Sequence, residues 1–214
     1  LFDCTNFDNI TVSNGLFIGK GDDYQDNPSS DAVCFLIDGS ENIDINHCQF
    51  TDFCYTAVKS FVAAVGVKLH NNVVVGPGVG ELSDPSYNDC AGFIILGNGV
   101  DISNNRISQT AQGLIVAEGS TRVAITENTI FDIINEHGMY VDTAVRDISI
   151  TGNTVRNTGG VGIKVQWYDD ATLTDEPNTI TISGNSIFTT GSDGIQVLNS
   201  VPDVDPFYAR SVAI

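Results

Sequence analysis

An eight-residue pattern of apolar and polar positions occurs seven times along the chain. Each copy reads apolar, any, apolar, any, any, small or Asn, any, apolar, and so opens with the alternation typical of a strand that buries one face. β-Branched residues dominate the apolar positions, which suits a pleated surface. The pattern therefore predicts strands, and the apolar i, i+3, i+4 spacing of an amphipathic helix does not recur. The seven copies lie at residues 10–17, 43–50, 67–74, 100–107, 123–130, 148–155 and 180–187.

A second short apolar run, which begins at Gly, follows the pattern in the later copies. These runs lie at residues 92–95, 113–116, 138–141, 162–165 and 194–197. The sixth positions of successive copies are 23 to 33 residues apart, so each unit holds two or three short strands and some units carry insertions. A unit of that size cannot bury its apolar face alone, whereas stacked units form parallel sheets around one continuous core.

The sixth position of the pattern is Asn in each of the last five copies. Asn carries both a donor and an acceptor and tolerates left-handed backbone conformations, so it suits a sharp turn where backbone groups lose their partners. Stacking would place each Asn next to the Asn of the following unit. We therefore predict an internal ladder of hydrogen-bonded asparagines, for which ligand contact is the alternative role. Its members are Asn72, Asn105, Asn128, Asn153 and Asn185.

The repeats of the type ITISGNSI (residues 180–187), with the runs HGMYV (137–141) and GIKV (162–165), resemble right-handed parallel β-helix proteins. This superfamily includes pectate lyases, polygalacturonases, alginate epimerases and many phage tailspikes. The resemblance covers residues 10–200 and implies an all-β fold, a right-handed parallel β-helix solenoid of about seven rungs with an internal Asn ladder. Seven rungs at the usual strand spacing give a rod roughly 30–35 Å long.

Length and charge narrow the choice of partners. The 214 residues favour one elongated domain over residues 1–214. With 27 acidic residues against 9 Lys and Arg, the formal net charge is −18, so nucleic acids and anionic membrane surfaces are poor partner candidates. A polyanion such as pectate or alginate would also be repelled unless calcium or a local basic patch intervenes. No apolar run is long enough to insert across a membrane.

The ends of the chain and its cysteines bear on where the protein works. The chain opens without an initiator Met or a signal peptide, and we expect a piece of a longer protein that is extracellular or on a virion surface. All five cysteines lie in the first 90 residues, without a Cys-x-x-Cys pair of the kind that binds metals. We expect buried thiols, and a disulfide, either Cys48–Cys54 or one that involves Cys34, is the alternative.

Three insertions interrupt the repeats, at residues 19–32, 76–91 and 167–178, and loops of this kind often carry the function of a rigid solenoid. The first two fall in the same turn two rungs apart, so we expect them to wall a groove. Four carboxylates of the first insertion could bind calcium, at Asp22, Asp23, Asp26 and Asp31. Their spacing matches no EF-hand, and a solvated turn is the alternative. No other cofactor is expected.

Alternation in the strands that begin at Gly directs Tyr140, Asp142 and Lys164 outward on neighbouring rungs, beside His137. Side chains of these four types within two rungs can supply proton transfer. We therefore predict His137, Tyr140, Asp142 and Lys164 as the catalytic set if the protein is an enzyme. The alternative is an ordinary polar surface for the three outward residues and a turn role for His137.

Four nearby residues are candidates for substrate contact, namely Glu118, Gln166, Trp167 and Gln196. Gln166 and Gln196 point outward in the same set of strands. Trp167 could stack on a sugar ring, and local packing is its alternative. Glu118 and Asp142 lie on neighbouring rungs and form the one carboxylate pair that we can fit to the separation of about 5–9.5 Å needed for glycoside hydrolysis.

The catalytic motifs of the enzymes with this fold are missing here. A polygalacturonase-like site needs paired Asp residues on the rung before His-Gly, where this chain reads Ala111-Gln112-Gly113. The Asp-Pro-His-Asp box of alginate epimerases is absent, and the arginines occur without the calcium cluster of a pectate-lyase-like site. The resemblance therefore implies the fold and no particular reaction.

Three functions remain open. The first is a phage tailspike or fibre, whose β-helix binds and can cleave host surface polysaccharide and commonly forms a homotrimer in that family. The second is a fragment of a secreted polysaccharide lyase, hydrolase or epimerase, and the third is a structural or adhesive spacer without a ligand site. Product formation on a polysaccharide panel would separate the second from the third, and a trimer in light scattering would favour the first.

Overall fold

The computed structural model describes residues 2–19, 33–53, 55–61, 63–76, 90–117, 119–141, 146–167, 179–199 and 211–213. Across these ranges the chain forms 23 short strands and no helix. Accordingly, nothing in the described ranges is a helix long and apolar enough to cross a membrane. The all-β fold class predicted from the repeats is confirmed.

The strands belong to three parallel sheets, which we name A, B and C after the order in which each circuit of the chain visits them. Sheet A contains β1 (Phe2–Thr5), β4 (Val33–Asp38), β7 (Thr56–Ser60), β10 (Ala91–Ile95), β13 (Gln112–Val116), β16 (Met139–Val141), β19 (Ile163–Trp167) and β22 (Ile195–Asn199). Sheet B contains β2 (Thr11–Ser13), β5 (Asp44–Asn46), β8 (Lys68–His70), β11 (Asn98–Ser103), β14 (Thr121–Thr126), β17 (Arg146–Thr151), β20 (Thr179–Ser183) and β23 (Ser211–Ala213). Sheet C contains β3 (Leu16–Ile18), β6 (Gln49–Thr51), β9 (Val73–Val75), β12 (Arg106–Ser108), β15 (Thr129–Ile133), β18 (Thr154–Thr158) and β21 (Ser186–Thr190).

Each strand pairs with the strand of the same sheet one circuit earlier and one circuit later. The register aligns equivalent positions of the repeat, as when Ile102 pairs with Ile125 and Ile125 pairs with Ile150. Seven complete circuits are present in the described ranges, and β22 and β23 belong to an eighth. The predicted stack of about seven rungs is therefore confirmed.

The apolar positions of the repeat point into the coil and form one continuous core. Ile102, Ile125 and Ile150 are fully buried, and the same holds for their counterparts in sheets A and C. Burial of an Ile side chain contributes about 1.5–3 kcal/mol, so the stacked columns supply the main stabilisation that a single unit lacks.

The predicted Asn ladder is also confirmed, at the turn between sheet B and sheet C. The side-chain Nδ2 of each ladder Asn donates to Oδ1 of the next at 3.0 Å, from Asn72 through to Asn185. The residue before each ladder position has a positive φ, for example 55° at Asn104 and 56° at Glu127. This left-handed residue makes the sharp turn and directs the following Asn inward.

Cys48 takes the ladder position one rung before Asn72, and it is a free, buried thiol. Its Sγ lies 3.3 Å from the carbonyl oxygen of Asn46, and burial raises the pKa of the thiol. The Cys48–Cys54 disulfide considered above is therefore wrong, because the thiol packs in the turn. Cys54 itself lies outside the described residues, and the alternative bridge that involves Cys34 stays a prediction.

Candidate functional site

The outer face of sheet A carries the residues singled out from the sequence. Its central outward column runs, from the first rung to the last, through Asp3, Leu36, Lys59, Ile94, Ile115, Tyr140, Lys164 and Gln196. The neighbouring residues Met139 and Val141 are buried in the core, as the alternation predicts, whereas Tyr140 and Lys164 are partly exposed. The column is therefore mainly apolar in its lower rungs and polar from Tyr140 upward.

His137, Tyr140 and Lys164 form a contact cluster on this face. The ring centroids of His137 and Tyr140 lie 5.7 Å apart, and Lys164 Nζ lies 5.3 Å from the centroid of the Tyr140 ring. Tyr140 and Lys164 are register partners in β16 and β19. The structure thus brings together three of the four residues predicted as a catalytic set, and the fourth, Asp142, lies outside the described residues.

A backbone hydrogen bond fixes the tautomer of the His137 ring, and burial keeps the ring neutral. Nδ1 accepts a hydrogen bond from the backbone N–H of Val161 at 3.0 Å, so the ring proton resides on Nε2. Nε2 lies 3.5 Å from Glu136 Oε2. Burial, aided by the positive charge of Lys164, lowers the pKa of His137 to about 4. At neutral pH this side chain is therefore a fixed hydrogen-bond donor.

We expect an NMR titration of His137 to give a midpoint near pH 4. Because the folded pKa lies below the unfolded value of 6.5, the unfolded chain binds the proton first. The free energy of unfolding should therefore fall as the pH drops from about 6.5 to about 4, and this contribution should be fully present above that window. His137→Gln should remove this part of the slope in urea titrations, whereas His47→Gln should retain it. An unchanged slope in H137Q would contradict the assignment.

Lys59 is a second cation on the same outward column, four rungs below Lys164. Its Nζ lies 5.3 Å from the ring centroid of Tyr55 and 5.2 Å from that of Phe61. Ile94, between the two lysines, is only 8% exposed although it faces out of the coil. Alternation in the sequence also directs Lys59 outward on this face, but Lys59 is not among the site residues predicted above. The signal for including it is its alignment with Lys164 in the repeat.

Of the residues predicted for substrate or calcium contact, the structure describes the side chains of only two, Gln166 and Gln196. Gln196 is the register partner of Lys164, and its Nε2 donates to Asp193 Oδ2 at 3.0 Å. Gln166 is largely buried. Glu118, the side chain of Trp167 and most of the three insertions (residues 20–32, 77–89 and 168–178), including the four candidate calcium ligands, lie outside the described residues. Within the described part of the chain, no group of three or more His, Cys, Asp or Glu could hold a metal ion.

A comparison with protein-family models assigns the chain to a family. A family model described as a right-handed beta helix region matches residues 32–205. The chain belongs to the right-handed β-helix family. The family match confirms the predicted resemblance at the level of the fold. A comparison with curated proteins found no match.

In this β-helix, the chain order places both early insertions between a sheet C strand and a sheet A strand, after β3 and after β9. The third insertion follows β19 of sheet A. The first two insertions thus end at a strand of sheet A, and the third begins after one. Sheet A also carries the cluster of His137, Tyr140 and Lys164. Chemically, the face offers a neutral N–H donor, a phenol and two ammonium groups beside apolar side chains, which suits binding of a polar polymer with apolar faces.

Proposed function

We propose that this β-helix binds a polysaccharide along the outer face of sheet A. The observation that carries the proposal is the Tyr140 ring, whose centroid lies 5.7 Å from that of the neutral His137 ring and 5.3 Å from the Nζ cation of Lys164. Sugars combine hydroxyl groups with apolar ring faces, so an aromatic ring flanked by polar groups is a suitable partner. Ile115, which is partly exposed, extends the apolar surface one rung below Tyr140.

The geometry of the column supports a linear polymer as the ligand. Successive rungs repeat about every 4.8 Å, so the four steps from Lys59 to Lys164 span about 19 Å along the coil axis. A chain molecule that lies along this axis would contact Lys59, Ile115, Tyr140 and Lys164 in order, and would pass over Ile94, which is almost fully buried. The lone pair of His137 Nδ1 accepts the hydrogen bond of Val161 N–H, and the lowered pKa leaves no imidazolium at neutral pH, so this ring offers neither a free base nor an acid. Binding is therefore tested first and cleavage of the polymer second.

We further propose that the β-helix works in a tailspike or fibre, outside the cell or on a virion surface, as part of a homotrimer. The net charge of −18 suits a solvated, elongated body that avoids nucleic acids and anionic membranes. The three insertions border the proposed binding face in the chain order, which fits a surface that meets a host glycan. A secreted polysaccharide lyase, hydrolase or epimerase would use the same face.

The test is calorimetric binding to a panel of neutral and acidic polysaccharides. We expect Tyr140→Ala to weaken binding about tenfold, because the ring contact and its buried area are lost. Tyr140→Phe, which keeps the ring, should lose less. Lys68→Gln on the outer face of sheet B is the matched control and should bind like the wild type.

Two outcomes would overturn the proposal. One is a panel in which no polysaccharide binds, which would favour the structural spacer. The other is an equal loss of affinity in Y140A and K68Q, which would place the ligand elsewhere on the coil. Chromatography of the incubated polysaccharides, in the same samples, determines whether products form and so separates binding from cleavage.

A further inference from the structure

We propose that the outer face of sheet C carries a separate binding site for the carboxylate of an acidic sugar, formed by Arg106, Phe131, Arg156 and Phe188. The site uses a different sheet from the face discussed above and does not depend on polysaccharide binding there. It would supply the local basic patch without which a chain of this net charge repels polyanions.

Register places these four side chains together on successive rungs. Phe131 pairs with Arg156, and Arg156 pairs with Phe188, in one outward column of sheet C. Arg106 lies one rung below Phe131 in the adjacent outward column, since its register partner is Thr129. The buried positions between the two columns are Ile107, Ile130 and Val155.

The two guanidinium groups stack on one aromatic ring. Arg106 Cζ lies 4.2 Å and Arg156 Cζ lies 5.1 Å from the centroid of Phe131. Phe131 is only 8% exposed although it faces out of the coil, which agrees with two arginines that cover it. When the flat face of a guanidinium stacks on a ring, the N–H donors at its edge can still hydrogen-bond to a ligand.

Neither guanidinium, that of Arg106 or that of Arg156, is in an ion pair with an acidic residue of the described ranges, and both side chains are exposed. Two of the nine Lys and Arg residues of the chain thus meet at one ring on a protein that carries 27 acidic residues. Two like charges held together without an ion-pair partner among the described residues favour an anionic ligand.

The chemistry of the site favours a carboxylate on a sugar over a simple anion. The planar fork of Arg matches the two oxygens of a carboxylate. Phe188, on the rung beyond Arg156, is 56% exposed and offers an apolar ring to the face of a pyranose. A uronate would therefore place its carboxylate on the arginines and its ring on Phe188.

One acidic residue, Asp132, is next to the site in the sequence. It directly follows Phe131, and its Oδ1 accepts a hydrogen bond from Asn157 Nδ2 at 2.9 Å. Removal of this charge by Asp132→Asn should tighten binding of an anion about two- to threefold, because an exposed charge is largely screened by solvent and salt. Asn also tolerates the positive φ of 55° at this position.

The experiment uses a hexasaccharide of alternating glucuronate and N-acetylglucosamine as the probe, with its methyl ester as the uncharged counterpart. Affinity is measured by calorimetry, and the site is mapped by NMR shifts of the Arg side-chain N–H groups. We expect Arg106→Gln and Arg156→Gln each to weaken binding about tenfold. Arg156→Lys should not restore it, because an ammonium lacks the fork.

The controls separate this site from sheet B and from loss of folding. Arg122→Gln, on sheet B, removes a guanidinium whose Nε donates to Asn98 Oδ1, and it should bind within twofold of the wild type. Lys68→Gln, which removes an ammonium group from the outer face of sheet B, should also leave hexasaccharide binding unchanged. Thermal unfolding midpoints show whether each variant is folded. The NMR shifts of the Arg side-chain N–H groups are measured on the wild-type protein, so they test the site even if a variant fails to fold.

Three results would overturn the proposal. Equal affinity for the acidic probe and its methyl ester would remove the carboxylate as the recognised group. Wild-type affinity in both R106Q and R156Q would remove the arginines. Inorganic sulfate that binds as tightly as the hexasaccharide would leave a plain anion site without a role for Phe188.

Discussion

Gly113→Ala is expected to lower the free energy of unfolding by about 4 kcal/mol, the upper range for steric overpacking in a core. A Cβ at position 113 would lie 2.2 Å from the carbonyl oxygen of Gly138 and 2.6 Å from Ile130 Cγ2. The Gly138 oxygen accepts the hydrogen bond of Leu114 N at 3.0 Å, so it cannot move away without loss of a rung contact. Urea denaturation monitored by circular dichroism measures the effect.

Gly194 provides the matched control, because it occupies the same column three rungs later. There the nearest atom to a new Cβ is Ile187 Cγ2 at 3.8 Å, which is ordinary van der Waals contact. Gly194→Ala should therefore be neutral or stabilise by about 0.5 kcal/mol through the reduced entropy of the unfolded chain. Equal destabilisation in G113A and G194A would show that the conformation of the glycine, rather than the space around it, explains the column.

The glycine column illustrates what could be predicted from the repeats and what could not. The runs at 113–116 and 138–141 were predicted as strands, and their alignment follows from the period of the chain. The reason for Gly at their first position was not predictable, because the crowding atoms come from sheet C and from the next rung. Ile130 approaches Gly113 from across the core, at a distance that only the closed coil defines.

The candidate site shows the same division. The outward directions of Tyr140 and Lys164 follow from alternation, and their proximity follows from stacking. The neutral state of His137 could not be predicted, since it depends on the backbone N–H of Val161 on the following rung. Phe131 and Arg156 each directly follow a copy of the repeat, so an alignment of the copies contains the signal for the sheet C site, although the stacking on the ring requires coordinates.

The Asn ladder is the feature for which sequence and structure agree most fully, and its interior members are also the most constrained. Asn128 Oδ1 accepts hydrogen bonds from both the backbone N and the Nδ2 of Asn105, at 2.9 and 3.0 Å. Its Nδ2 donates to the Ile102 carbonyl oxygen at 2.8 Å and to Asn153 Oδ1 at 3.0 Å. The side chain therefore satisfies polar groups on the rung before and the rung after its own while fully buried.

Asn128→Ala is expected to lower the free energy of unfolding by about 4 kcal/mol. The change leaves the buried N–H of Asn105 without its acceptor and the Ile102 oxygen without its side-chain donor, and each such loss costs about 1–3 kcal/mol. Loss of the contact with Asn153 adds to this, because the groups act as one network. Urea denaturation at neutral pH measures the effect, with unfolding followed by circular dichroism.

Asn46→Ala is the control for loss of an asparagine outside the ladder. Asn46 lies on β5 of sheet B, where its Nδ2 donates to Asp44 Oδ1 at 2.9 Å in a partly exposed position. Water can replace that partner, so the loss should stay below about 1 kcal/mol. If the urea midpoint of N128A were as close to that of the wild type as the midpoint of N46A, water would have to enter the turn and hydrogen-bond to the polar groups that Asn128 leaves. The ladder would then be a result of the stacking and would not stabilise it.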